Sequence, residues 1–133
     1  MLLKLRAGEK LYLNGAVIKV ERKSTLELLN DATFLLEAHV IQPEEANTPL
    51  RQLYFVLQTQ LMEREASPLA LRMFIDMSAA SRAAFGGGPV SDGLRGADDL
   101  VESGRIFEAM KTLRGLFPLE AELMKDKASA NAA

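Results

Sequence analysis

The stretch TPLRQLYFVLQTQLM, residues 48–62, decides how the rest of the chain is arranged. Thr48 is a good N-cap, and Pro49 suits the first helical position, where a missing N–H costs nothing. Beyond them Leu50, Leu53, Tyr54, Leu57 and Leu61 recur at i, i+3, i+4, i+7 and i+11, one side of a 3.6-residue helix. Phe55, Val56 and Met62 widen the apolar arc, leaving mainly Arg51, Gln52, Gln58, Thr59 and Gln60 for water. A helix apolar round most of its girth needs cover on two sides. The reading is therefore a central helix, touching the strands that precede it and the helices that follow.

Upstream, residues 2–41 alternate with the period of two that marks short strands. Leu3 and Leu5 point one way while Lys4 and Arg6 point the other. Ala7-Gly8-Glu9 turns the chain, and Lys10–Leu13 then sets Leu11 and Leu13 inward with Lys10 and Tyr12 opposite. Asn14-Gly15 is a strong hairpin signal, because both residues tolerate the positive φ of a type I′ turn. Ala16–Val20 returns, Glu21–Ser24 is a charged turn, Thr25–Leu29 follows, and Asn30-Asp31-Ala32 turns again into Thr33–Glu37. Five such strands make a small antiparallel sheet with little interior of its own, which must lean on helices or on a second copy.

Downstream, Pro43-Glu44-Glu45 opens a short helical turn that Pro49 interrupts. Ser67-Pro68 repeats the N-cap signature and starts Leu69–Phe85, rich in methionine and alanine, which Gly86-Gly87-Gly88-Pro89 ends. Leu94, Ala97 and Val101 form a stripe before Gly104. Ile106, Met110, Leu113 and Phe117 mark another amphipathic helix, with Pro118 expected to kink or restart it. The fold class is α+β: a β-stranded region over residues 1–41, a helical region of four to five helices over 42–127, and a flexible tail over 128–133.

The totals limit what this domain does. A chain of 133 residues with 48% hydrophobic content builds one ordinary core. The absence of cysteine removes disulfides, thiolate metal sites and cysteine nucleophiles. His39 is the only histidine, and it stands at a strand end, which suits a structural role. No triad or transition-metal site can be assembled from these parts, no cofactor is implied, and the chain does not read as an enzyme. Asp98-Asp99 and Glu44-Glu45 diverge by about 100° along their helices and read as solvated faces. The glycines at 86–88 lack the Lys-Ser/Thr of a phosphate loop and follow a helix, so they read as a linker. With no signal-peptide pattern and no window approaching ~20 apolar residues, the expectation is a cytoplasmic protein away from membranes.

Charge is uneven. The net charge is −2, yet residues 1–23 carry Lys4, Arg6, Lys10, Lys19, Arg22 and Lys23 against Glu9 and Glu21. Residues 42–133 carry ten bases against thirteen acids. Attraction for phosphate therefore belongs at the N-terminal end. The candidate nucleic-acid contacts are those six cations together with Tyr12, available to stack on a base. The competing reading of the same residues is a charged outer sheet face with no ligand. Met73, Phe74 and Met77 are candidates for a protein-partner surface, methionines being adaptable in such contacts.

Several stretches together resemble the FlbT family of flagellar regulators: LKLRAGEKLYLNGAVI at 3–18, LLNDATFLLE at 28–37, PEEANTPLRQLYFVLQ at 43–58 and GRIFEAMKTLRGL at 104–116. The resemblance implies a cytoplasmic post-transcriptional regulator that acts on the 5′ untranslated region of flagellin mRNA. Such regulators act usually as repressors promoting mRNA decay and sometimes as activators, in company with the partner protein FlaF, and carry no cofactor. The first forty residues are also similar, more distantly, to small β-stranded mRNA regulators of the CsrA type, which dimerise and bind RNA through their first and last strands. That likeness points to Lys4 and Arg6. Family members commonly carry Arg-Glu-Lys-Asp where this chain has Leu36-Glu37-Ala38-His39, which leaves the first strand and the Arg22-Lys23 turn as the contacts implied. Self-association is expected through the strand region or the central helix. The alternative function is a protein-interaction adaptor for FlaF, flagellin or an export component, with indirect effects on mRNA.

Overall fold

Alternation of leucine with charge does produce five short strands, but they split between two antiparallel sheets instead of forming one. The structure is a computed structural model, described over residues 1–30, 32–63 and 67–132, with side chains described to residue 126. Strands β1 (Leu2–Leu5) and β4 (Ser24–Glu27) pair as a two-stranded ribbon. Strands β2 (Lys10–Leu13), β3 (Ala16–Lys19) and β5 (Phe34–Leu36) form a three-stranded sheet in the order β3-β2-β5. Asn14 and Gly15 both take positive φ, 49° and 82°, as the hairpin between β2 and β3 requires. Part of the expected turn at residues 30–32, Asp31, lies outside the described residues.

The side-chain parity of the three-stranded sheet makes it the middle layer. Leu11 and Phe34 face the ribbon and close a small core with Leu3 and Leu5. Leu35, next to Phe34 in sequence, points the opposite way into the helical core, with Tyr12 half-buried beside it. One face leans on the ribbon, the other on helices.

Helix α1 (Pro49–Met62) sits between that sheet and three further helices, α2 (Pro68–Phe85), α3 (Pro89–Glu102) and α4 (Ile106–Ala132). Leu50, Leu53, Tyr54 and Leu57 are wholly buried. The Thr48 hydroxyl accepts the Arg51 N–H at 3.2 Å, as the N-cap reading requires. Two residues assigned to water are instead buried. The Gln58 amide accepts the Ile41 N–H at 2.8 Å and donates to its carbonyl at 2.9 Å, and Gln60 accepts the Ser67 N–H at 2.7 Å. Each satisfies backbone where the chain enters or leaves the core. Glu120, at 1% exposure, crosses from α4 to accept the Leu50 N–H at 2.8 Å. A first-turn donor and the positive end of the α1 dipole thus receive a carboxylate from 70 residues away.

Ser67 caps α2 through the Ala70 N–H at 3.2 Å, and Gly86, at φ 74°, ends it. The pair Asp98-Asp99 divides. Asp99 is exposed, whereas Asp98 is buried against α2 and meets Arg82 at 3.4 Å, because its helix turns that position inward beside Leu94 and Val101. Burial raises the Asp98 pKa, opposed by the Ser78 hydroxyl and the Arg82 charge. Helices α3 and α4 approach closely at Gly93, where an added Cβ would stand 2.6 Å from Leu116. Pro118 neither restarts nor ends α4, which runs continuously from Ile106 to Ala132. The ring is exposed, and Leu113, Leu116 and Glu120, buried on either side, hold the helix through the missing hydrogen bond. Side chains of the tail lie outside the described residues. Phe107, at the start of α4, meets Phe34 at 5.0 Å between ring centres and touches both cores, joining the β and helical regions.

Candidate nucleic-acid interface

The antiparallel register brings cations that are distant in sequence to one end of the β layers. Leu5 pairs with Ser24 at that end of the ribbon, so Arg6 and Lys23 are the next residues out on neighbouring strands. Lys10 pairs directly with Lys19 at the same end of the sheet. The Gly8 N–H donates to the Val20 carbonyl at 2.7 Å, and Val20 returns a bond to Glu9 at 3.2 Å, tying the Ala7–Glu9 turn to the exit of β3. Ser24 steadies the other turn by donating to the Arg22 carbonyl at 2.7 Å. Arg6, Lys10, Lys19, Arg22 and Lys23 consequently share one end of the molecule, all exposed, with Lys4 exposed on the outer face of β1.

None of these six is ion-paired among the described residues; the ion pairs there are Arg82–Asp98, Arg95–Asp92 and Arg105–Glu108. Lys10 and Lys19 stand as like charges directly opposite, an unfavourable cross-strand pairing. Glu9 and Glu21 belong to the same end, and Glu37 uses a carboxylate oxygen to accept the Lys10 backbone N–H at 2.8 Å. Tyr12 is placed differently from the cations. It pairs with Leu35 on the helix-facing side, half-buried against the helical core, and offers less ring to a base than its sequence position suggests.

A second group of polar side chains adjoins this end through the 3₁₀ turn Glu37–His39. The Tyr54 hydroxyl donates to the His39 carbonyl, and Arg114 Nη1 lies 3.2 Å from the same hydroxyl. Tyr54 meets Phe117 edge-on at 5.5 Å, and the Arg51 guanidinium covers the Phe117 ring at 4.5 Å. Burial, then the Arg114 charge, lower the His39 pKa from its ordinary 6.5. His39 Nδ1 is buried without a hydrogen-bond partner among the described residues. Sequence reading passed over Arg51 and Arg114, since single arginines on helix faces carry no local signal.

The partner-binding candidates are also separated by the fold. Phe74 is wholly buried in the helical core and Met77 is half-buried against it, so neither ring nor thioether is presented by the folded domain. Met73, 48% exposed, stands with Leu69, 79% exposed, on the outer side of α2. The central helix buries Leu50, Leu53, Tyr54 and Leu57 and leaves Gln52 exposed. Among the described residues no group of three or more His, Cys, Asp or Glu side chains is placed to hold a metal, and no helix is long and apolar enough to cross a membrane.

Comparison with known proteins bears on this arrangement. Residues 1–124 match the family described as flagellar protein FlbT. The chain is 52% identical over 122 residues to proteins of Brucella ovis, Brucella canis and Brucella anthropi, each named probable flagellum biosynthesis repressor protein FlbT. Each alignment covers 92% of this chain and 80% of the relative. No solved structure matches the chain. The length and identity of these matches, over both the β layers and the helices, place this chain in the FlbT family.

Proposed function

We propose that this protein is a post-transcriptional regulator of flagellin synthesis that binds the 5′ untranslated region of flagellin mRNA and controls its translation and decay. Relatives named as repressors of flagellum biosynthesis support the regulatory part. The observation that carries the RNA part is the set of exposed cations at one end of the β layers, without ion-pair partners among the described residues. Arg6, Lys10, Lys19, Arg22 and Lys23, with Lys4 beside them, neutralise backbone phosphates of a single strand crossing the strand ends. No cofactor enters, and the protein acts by occupancy, not by chemistry on the RNA. The place of action is the cytoplasm, where the messenger is.

The test is direct binding of the pure full chain to the flagellin leader, against a control RNA of equal length and composition, with FlaF present and absent. Preference for the leader supports the proposal; equal binding to both removes its specificity. Replacing Lys4, Arg6, Arg22 and Lys23 together by alanine abolishes binding while circular dichroism stays unchanged.

The adaptor reading has one observation in its favour, the exposed Leu69 and Met73 on α2. In that version FlaF or an export component is captured by the helical region, and capture survives both ribonuclease and the fourfold alanine variant.

A further inference from the structure

We propose that Arg51, Arg114 and His39 form a phosphate-binding site on the helical region, separate from the strand-end cations. The site stands on its own geometry and does not depend on the strand-end reading. Tyr54 and Phe117 link the two guanidiniums: Arg114 meets the Tyr54 hydroxyl at 3.2 Å, and Arg51 lies over the Phe117 ring at 4.5 Å. Those two rings are themselves in edge-on contact at 5.5 Å. Both arginines are half-exposed, and neither is ion-paired among the described residues.

Each guanidinium is immobilised by only part of its surface. Arg51 is held through its face, which leaves the in-plane N–H groups free to point at an acceptor. Arg114 gives one N–H to Tyr54, and the rest of its fork meets no acid among the described residues. The carboxylate nearest along α4 is Glu120, one turn beyond Phe117, and it is already committed to the Leu50 N–H. Glu45, in the 3₁₀ turn before α1, is committed to the Gln42 N–H at 2.9 Å. His39 contributes a buried Nδ1 that has no hydrogen-bond partner among the described residues. Burial first, and the Arg114 charge second, hold the pKa of its ring below the ordinary value.

Two guanidiniums and an imidazole suit an anionic acceptor whose oxygens point in several directions. A tetrahedral phosphate, as the free ion or as a diester, meets that description, whereas a carboxylate offers two oxygens in one plane. The group comes either as free phosphate or as the phosphate of a nucleotide chain. The second source has a route to the site. Glu37 binds the Lys10 backbone at the strand ends, and two residues later His39 binds Tyr54, so one 3₁₀ turn connects the two cationic regions.

His39 is the only histidine, so its ring resonances in the full-length protein identify themselves. The experiment follows them during titration with inorganic phosphate at constant ionic strength, with sodium acetate as the control anion. The expected result is a saturable shift with phosphate, together with a higher His39 pKa, and little response to acetate. The shift disappears in the R51Q/R114Q double variant and weakens in R51Q alone, which leaves the Tyr54 contact intact and guards against misfolding of the double variant. An unmoved His39, an equal response to acetate, or an undiminished response in R51Q and the double variant would overturn the site. A second arm measures the salt dependence of binding to a short oligouridylate. Loss of about 1.4 from the slope of log K against log salt in the double variant, from two contacts at ~0.7 each, assigns the site to nucleic acid. An unchanged slope with the phosphate response intact supports the site with free phosphate as its ligand. The strand-end reading is tested by its own alanine variant, so either proposal can fail while the other stands.

Discussion

The helical region and the β layers use their charged and polar groups in opposite ways. In the helices, the buried polar groups Glu120, Gln58, Gln60 and Asp98 are directed at a helix N-terminus, at loop backbone or at an arginine of a neighbouring helix. At the strand ends, Lys4, Arg6, Lys10, Lys19, Arg22 and Lys23 have no ion-pair partner among the described residues. The difference teaches where function is to be sought. Polar groups directed at backbone or at a neighbouring helix join the elements of the fold, and charge left at the surface in one place is available to a ligand of opposite sign.

Breaking the helical side of this contrast should cost stability and nothing specific to binding. The largest effect is expected for Leu53→Ala, which empties a fully buried position of the central helix and should lower unfolding free energy by about 2–5 kcal/mol in urea denaturation. Next comes Glu120→Gln, which weakens the carboxylate's bond to the Leu50 N–H in a buried setting; a loss of about 1–3 kcal/mol is expected by the same assay. RNA affinity of either variant, measured while it remains folded, should match the parent.

Asp98 sharpens the contrast through pH. Its folded pKa lies above the ordinary 3.8, so the folded state holds this proton more tightly than the unfolded chain does. The contribution is therefore fully present below pH 3.8 and lost as pH rises through the folded value. Asp98→Asn should remove that pH-dependent component from stability profiles, and a parent profile with the same slope would show that Asp98 does not titrate as described. At the small end of the scale, alanine at Lys4, Arg6, Arg22 and Lys23 should move stability by no more than about 0.5 kcal/mol each, since exposed side chains without partners hold nothing in place.

The sequence was most legible where local chemistry and tertiary structure agree. Thr48-Pro49 and the leucine period placed α1, and Asn14-Gly15 placed the β2–β3 hairpin, because a cap and a positive-φ turn are decided within a few residues. The division into two sheets was not legible. Alternation says which face a side chain takes but not which strand lies beside it, and β1 pairs with β4 across the intervening hairpin. Glu120 and Asp98 were hidden for a related reason: a lone acid on a helix reads as solvated, and only the packed structure supplies the helix end or the Arg82 that it meets. The excess of cations in residues 1–23 was visible as composition. Their meeting at one end, and the half-burial of Tyr12 among them, depend on register and on α1, neither of which composition contains.

The most direct test of the strand-end account is the salt dependence of leader binding by the purified full-length protein, compared with its K4A/R6A/R22A/K23A variant. At ~0.7 per phosphate contact on single-stranded RNA, the four substituted cations account for about −3 of the slope of log K against log salt, so the variant's slope is shallower by about that much. Binding that is indifferent to salt, or equally steep in the variant, would contradict an interface built from those cations.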